Sequence, residues 1–314
     1  MNDIIYGLSN EDYHNGEDYR DYISSTSLKH YLKSPRYFKF MQDNPQPQTE
    51  AQRFGSLFHL AMQLYQQHGT NEAFWDSVAI FQPPKNPKTD QPYGVTAKAY
   101  AEAYTKFLDD NQGKEIATLA EVQQIDDMVG ALTRLEIGGV TAKRIRRFLK
   151  QATAVEVSYF YVTEDGIKLK IRPDLLTRGR LLIDWKTCAL DTLDEDSIAR
   201  QIIKYRYGIS MSMYQYVLHK ITGKRYRPIL VFVTKSAPYD AIVVDISEWC
   251  YGYDKDLDMV TMGVGAVEFK RLLDLHTKCT KENKWPGAES NLPEGDAVMT
   301  LKVPVWFDRK TFTE

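Results

Sequence analysis

Between Ala154 and Thr187 the texture of the chain changes, and this stretch limits the fold more than any other. Ala154 to Val162 alternates and carries β-branched and aromatic side chains, the pattern of a strand. Glu164-Asp165-Gly166 follows, with Asp-Gly at the centre of a hairpin turn. Ile167 to Leu176 reads as the returning strand. Thr177 to Arg180 turns again at Gly179, into a third strand over Leu181 to Thr187. The middle of the chain is thus a meander of three strands.

The meander is preceded by helices. Ser24-Ser25-Thr26-Ser27 offers N-caps for a helix through Leu28, Tyr31 and Leu32 toward Tyr37, which Pro35 kinks or splits. Phe54, Leu57, Phe58, Ala61, Met62 and Tyr65 recur at helical spacing across Phe54 to Gln67. Phe81 to Tyr93, with four prolines, is a loop. Ala97 to Leu108 and Leu119 to Leu135 resume the helical pattern, and Thr141 to Lys150 is a short basic helix. After the meander, Asp194 to Lys220 reads as one long helix, then Pro228 to Thr234 and Ala241 to Ile246 as strands. This order predicts an α+β fold around one mixed sheet flanked by helices. One domain is expected over residues 1–280, with a helical half at 20–150 and a sheet-bearing core at 151–247. The tail at 281–314 looks irregular until an apolar stretch at Val303 to Phe307.

Composition removes some classes. With 43% hydrophobic and 26% charged residues, the 314-residue chain can bury a core and is not disordered. A net charge of −2 gives no overall attraction for nucleic acid, so any phosphate contact needs locally clustered Lys and Arg. Cys188, Cys250 and Cys279 form no CxxC pair, which argues against a zinc ribbon or a disulfide framework and for a reducing cytoplasm. The start, MNDIIYGLSNEDY, lacks the basic and apolar regions of a signal peptide. Tyr207 to His219 is too short and polar to span a bilayer, so a soluble intracellular protein with no membrane partner is expected.

The chemistry concentrates in the meander. Asp184 and Lys186 are two apart on one strand and project to the same face. The turn at Thr177 to Arg180 brings Asp174, near the end of the previous strand, within reach of Asp184. Two carboxylates so placed repel unless a cation lies between them, and a hard ion such as Mg²⁺ suits oxygen ligands. Lys186 beside them is placed to orient or deprotonate a water and to stabilise charge in phosphodiester hydrolysis. The residues alone also allow a surface hairpin with an Asp turn and a salt bridge. The apolar run Leu181-Leu182-Ile183 before Asp184 favours the metal reading, because an unpaired acid there is unfavourable.

Several segments together resemble the RecE-type (exonuclease VIII-like) phage exonucleases of the PD-(D/E)XK superfamily. They are Tyr13-His14, Ile23 to Lys29, Ser34 to Phe38, Gly55 to His59, Lys170 to Asp174, Asp184 to Thr187 and Tyr205 to Tyr207. The resemblance implies a metal-dependent exonuclease on double-stranded DNA ends, working 5′→3′ and leaving 3′ tails. An annealing protein of the RecT type would take up those tails in recombination. It implies Mg²⁺, with Mn²⁺ as a substitute, and a trimeric or tetrameric ring in a bacterial host, phage- or prophage-encoded. Asp174, Asp184 and Lys186 would be catalytic, and His59 and Trp185 would join Asp174 and Asp184 at the metal. Glu156 would add an acid to the metal site or its surroundings, or face water as a strand-edge acid. Tyr214 matches the tyrosine of a Gln-xxx-Tyr pair whose glutamine position holds Ser210, while Gln201 and Tyr205 repeat that spacing out of register. For DNA contact the best local patch is Lys143, Arg144, Arg146, Arg147 and Lys150, which reads equally as a solvated basic helix face, with Lys29, Lys33, Arg36 and Lys39 as a second row. Rival readings are an endonuclease or structure-specific nuclease on the same core, and a non-catalytic DNA-binding scaffold.

Overall fold

The computed structural model describes residues 2–254, 259–291, 298–299 and 301; the apolar stretch Val303 to Phe307 lies outside them. Its centre is a five-stranded mixed sheet in the order Ala241–Asp245, Arg227–Thr234, Leu181–Cys188, Leu175–Thr177, Ala152–Val155. Leu181–Cys188 pairs in parallel with Arg227–Thr234, and the other neighbours are antiparallel. A parallel pair needs a crossover, here the helices Glu195–Tyr205 and Tyr207–Thr222.

The meander differs from a simple three-stranded unit. Ala154 to Val162 is two strands, Ala152–Val155 and Ser158–Val162, separated at Glu156, whose φ is +50°. The return is likewise split, into Lys168–Ile171 and Leu175–Thr177. Ser158–Val162 and Lys168–Ile171 pair with Asp3–Ile5 in a separate three-stranded sheet, so the expectation of one sheet is corrected to two larger ones. The cause is tertiary: Tyr159, Tyr161, Leu169 and Ile171 pack with Ile209, Met213 and Val217 of the helix Tyr207–Thr222, in a core they share with Leu182, Leu230 and Phe232 of the first sheet.

The predicted helix Asp194 to Lys220 is also two, broken at Arg206 in the left-handed conformation (φ 55°, ψ 44°). The first helical stretch divides as Pro35 requires: Ser24 caps Ser25–Lys29 and Ser34 caps Pro35–Asp43, with proline at its first turn. The helix Glu50–His68 starts on a capping box between Thr49 and Gln52 and ends on Gly69 at φ 77°. The basic helix runs over Leu135–Lys150 with a kink at Gly139.

Two cores sandwich the central sheet. On one face Phe54, Leu57 and Phe58 meet Ile125, Leu132, Ile145 and the strand side chains Leu175, Ile183, Trp185 and Val231. On the other, Leu182, Leu230 and Phe232 meet the crossover helices and the helix Val264–Glu282. Leu182 and Ile183 fall on opposite faces, as the two-residue strand period requires. All three cysteines are buried and free. No helix among the described residues is long and apolar enough to cross a membrane.

Candidate metal centre

Strand register builds the site. Leu175 pairs with Ile183 and with Val155, so one step further along the strands Asp174 stands between Asp184 and Glu156. The Glu156 amide donates to the Asp174 carbonyl at 3.2 Å, which carries the pairing through that step. Asp184 within its strand, Asp174 just before the neighbouring strand and Glu156 just after the next thus form a row across the sheet. Directly opposed like charges are unfavourable, and nothing in strand packing requires them.

His59 is brought to this row by the helix Glu50–His68, which packs on the face bearing Trp185. Its Nδ1 lies 3.3 Å from Asp174 Oδ1 and 3.6 Å from Glu156 Oε1. His59, Glu156 and Asp174 offer ligand atoms that all lie within 4.8 Å of one another. The Trp185 carbonyl only accepts, so at 3.1 Å the His59 Nε2 carries the hydrogen and donates to it. A neutral His59 therefore turns the Nδ1 lone pair to the two carboxylates, the tautomer a metal ligand needs. Trp185 takes part through its backbone: its amide donates to Asp174 Oδ2 at 2.6 Å, while its indole is buried in the core.

The electrostatics suit a divalent cation. Burial pushes the Glu156 carboxyl up, with Asp174 adding to the effect against His59. Burial would push Asp174 up too, but His59, Lys186 and the Trp185 amide hold it below the usual range. Burial disfavours a charged imidazole, yet Asp174 and Glu156 overcome it and raise His59 well above its ordinary pKa. A proton on His59 thus balances the row, and a divalent ion there would replace it with a larger charge. The donor set, one imidazole nitrogen and carboxylate oxygens, suits a hard or borderline divalent metal. Glu156 and His59 keep 18% and 27% of their side chains open to solvent, which leaves the centre accessible.

Asp184 stands beside this triad, ion-paired to Lys186, on the face opposite Trp185. Burial opposes the Lys186 ammonium, but Asp184 and Asp174 outweigh it and raise its pKa. The two acids thus favour the charged form of Lys186. Tyr214 lies under the row on the helix Tyr207–Thr222: burial, then Asp184, Tyr13, Asp174 and Glu156, raise its pKa well above the usual value. Ser210 is one turn away on the same helix, whereas Gln201 and Tyr205 sit on the preceding helix, with Tyr205 44% exposed.

The basic patch is not gathered with the acids. Lys143, Arg144, Arg146, Arg147 and Lys150 are exposed, and all but Arg144 line one shallow depression. The helix ends at Gln151, whose carbonyl accepts from Arg178 in the turn at the far end of the strands from Glu156 and Asp174. In the second row, Arg36 pairs with Glu289 at 2.7 Å and Lys39 with Asp43 at 2.8 Å, and Lys33 stands 4.0 Å over the Tyr37 ring. Two further cations gain a role from the fold. Lys170 donates to the carbonyls of Tyr13 (2.6 Å) and Tyr19 (3.0 Å), and Arg172 to those of Leu8 (3.0 Å) and Ser9 (3.3 Å). They fasten the N-terminal segment beside the row, and their place in the run Lys170 to Asp174 is the only sequence signal for them.

Residues 24–291 match the family described as a PDDEXK-like domain of unknown function (DUF3799). A crystal structure of a Eubacterium rectale protein, provisionally named an exonuclease, is similar with a TM-score of 0.51. That similarity covers 98% of this chain and 100% of the other at 15% identity, a likeness of fold. No curated protein sequence matches. The Asp174 that precedes one strand, the Asp184-Trp185-Lys186 on its partner and the match over most of the chain agree, and the chain belongs to the PDDEXK-like DUF3799 family.

Proposed function

We propose that this protein is a divalent-metal-dependent exonuclease acting on the ends of double-stranded DNA. The observation that carries the reading is the row Glu156, Asp174, Asp184, with His59 at one side and Lys186 at the other. His59, Glu156 and Asp174 would hold the ion, with Asp184 at its edge. A bound Mg²⁺ or Mn²⁺ would supply Lewis acidity and an activated water. The chain's own groups do the rest. Asp174 is fixed by the Trp185 amide, so its free oxygen keeps one direction. Lys186, held protonated by Asp184, donates to a phosphate oxygen and offsets the charge that grows there during hydrolysis. His59 is oriented by the Trp185 carbonyl.

The finer assignments rest on the resemblance to RecE-type enzymes: 5′→3′ polarity, 3′ tails for a RecT-like annealing partner, a trimeric or tetrameric ring, Mg²⁺, and a phage or prophage origin. A linear duplex labelled at its 5′ or 3′ ends, beside the same sequence as a closed circle, tests the central part. The reading expects Mg²⁺-dependent early release of the 5′ label and an intact circle. Early 3′ release would overturn the polarity, and equal digestion of the circle would establish an endonuclease instead.

A further inference from the structure

Lys29 closes the short helix Ser25–Lys29 and reaches the break between the two crossover helices. Arg206, left-handed at that break, ends the first helix. The Lys29 ammonium donates to the Tyr205 carbonyl there at 3.0 Å. The same ammonium lies 6.0 Å from the centre of the Tyr207 ring, and the Lys186 ammonium lies 5.2 Å from it. Two cations therefore share one aromatic ring beside the acid row. Among the described residues Lys186 is ion-paired with Asp184, and no carboxylate pairs with Lys29. Burial, and then Lys186, push the Lys29 pKa down to about 8 against the pull of Asp184. An ammonium has three donors, and the Tyr205 carbonyl takes one. A half-buried cation facing another cation is unfavourable until an anion arrives.

We propose that Lys29 is a substrate-binding residue: with Lys186 it grips the non-bridging oxygens of a DNA phosphate at the acid row, and Tyr207 spaces the two ammonium groups. The proposal rests on the nuclease reading for the nature of its ligand. It gives the centre a local source of positive charge that the exposed helix Leu135–Lys150 does not supply, because that helix ends at the other end of the sheet.

The test compares wild type, Lys29→Ala and Lys29→Arg. Duplex affinity is read by fluorescence anisotropy with Ca²⁺ over a salt series, hydrolysis with Mg²⁺, and melting temperature alongside. A lost charge-assisted contact weakens binding by ~10- to 100-fold and lowers the salt slope by about one. Lys29→Ala should do both and raise KM more than it lowers kcat, and Lys29→Arg should recover most of the affinity. Unchanged affinity and salt slope in Lys29→Ala would overturn the proposal. So would equal losses in both variants that track a fall in melting temperature, the mark of a prop for the Tyr205 carbonyl. If wild type hydrolyses no DNA with Mg²⁺ or Mn²⁺, the nuclease reading fails by itself, and the Ca²⁺ binding series still decides for or against Lys29.

Discussion

Glu156→Asn separates what this residue's side chain does from what its backbone endures. A non-glycine residue held at φ +50° carries roughly 1–3 kcal/mol of strain, and asparagine adopts that region more readily than glutamate. The substitution should therefore recover about 1 kcal/mol. It also removes a carboxylate whose oxygen lies within 4.8 Å of one on Asp174, a repulsion of at least about 3.5 kcal/mol at an effective dielectric constant of about 20. The attraction of Glu156 to a protonated His59 at 3.6 Å is about 4.6 kcal/mol on the same scale and opposite in sign, so the two offset to within about 1 kcal/mol before partial exposure screens both. What remains is the backbone relief, equivalent to a melting temperature about 2 °C higher in EDTA for a chain this long. With Mn²⁺ the order should reverse. A metal at ~100 times its Kd stabilises wild type by about 2.7 kcal/mol, and the variant, one ligand short, should gain much less. Hydrolysis should fall by at least ~10²-fold, the scale seen when groups around a metal are lost. Thermal melts in EDTA and in Mn²⁺, run beside a hydrolysis assay, read all three quantities. A variant that melts below wild type in EDTA, or keeps the full metal-induced rise, would refute the reasoning.

Other positions make independent predictions. His276, bonded by the Tyr31 hydroxyl at 2.7 Å and packed on Phe38 and Trp285, is pushed by burial down to about 4. Because the folded state refuses a proton that the unfolded chain accepts below pH ~6.5, stability should fall from there to pH ~4 by about 3 kcal/mol. Urea unfolding of His276→Gln should show a visibly shallower fall over that window, and an unchanged pH profile would count against it. At Gly265 an added Cβ would stand 2.5 Å from the Gly208 backbone, so Gly265→Ala should destabilise by ~1–3 kcal/mol in urea titrations. An unaltered midpoint would mean that the helices part there freely.

How much the sequence reveals depends on how local each cause is. Asp184 and Lys186 are legible because strand period alone puts them on one face, and Asp174 because the turn at Thr177 to Arg180 joins neighbouring strands. The two breaks are not legible. Val155-Glu156-Val157 continues an apolar alternation without glycine or proline, and Ile202, Tyr205 and Ile209 keep helical spacing through Arg206. Each break is a single left-handed residue supported from outside its own segment. Glu156 is held by Asp174 and His59, Arg206 by Glu268 at 3.0 Å. His59 is separated from Trp185 by 126 residues, so only the family resemblance could point to it. The basic helix was conspicuous as a run of charge, but its position relative to the acids depends on where Gln151 meets Arg178.

The most direct test is hydrolysis of a linear duplex by wild type, Asp184→Asn and Lys186→Ala in Mg²⁺, Mn²⁺ and EDTA, with melting temperatures measured on the same samples. The account predicts cleavage by wild type with either metal and none in EDTA. Both variants should stay folded and be ~10²- to 10⁴-fold slower. Cleavage in EDTA, or near-normal rates from either folded variant, would contradict it.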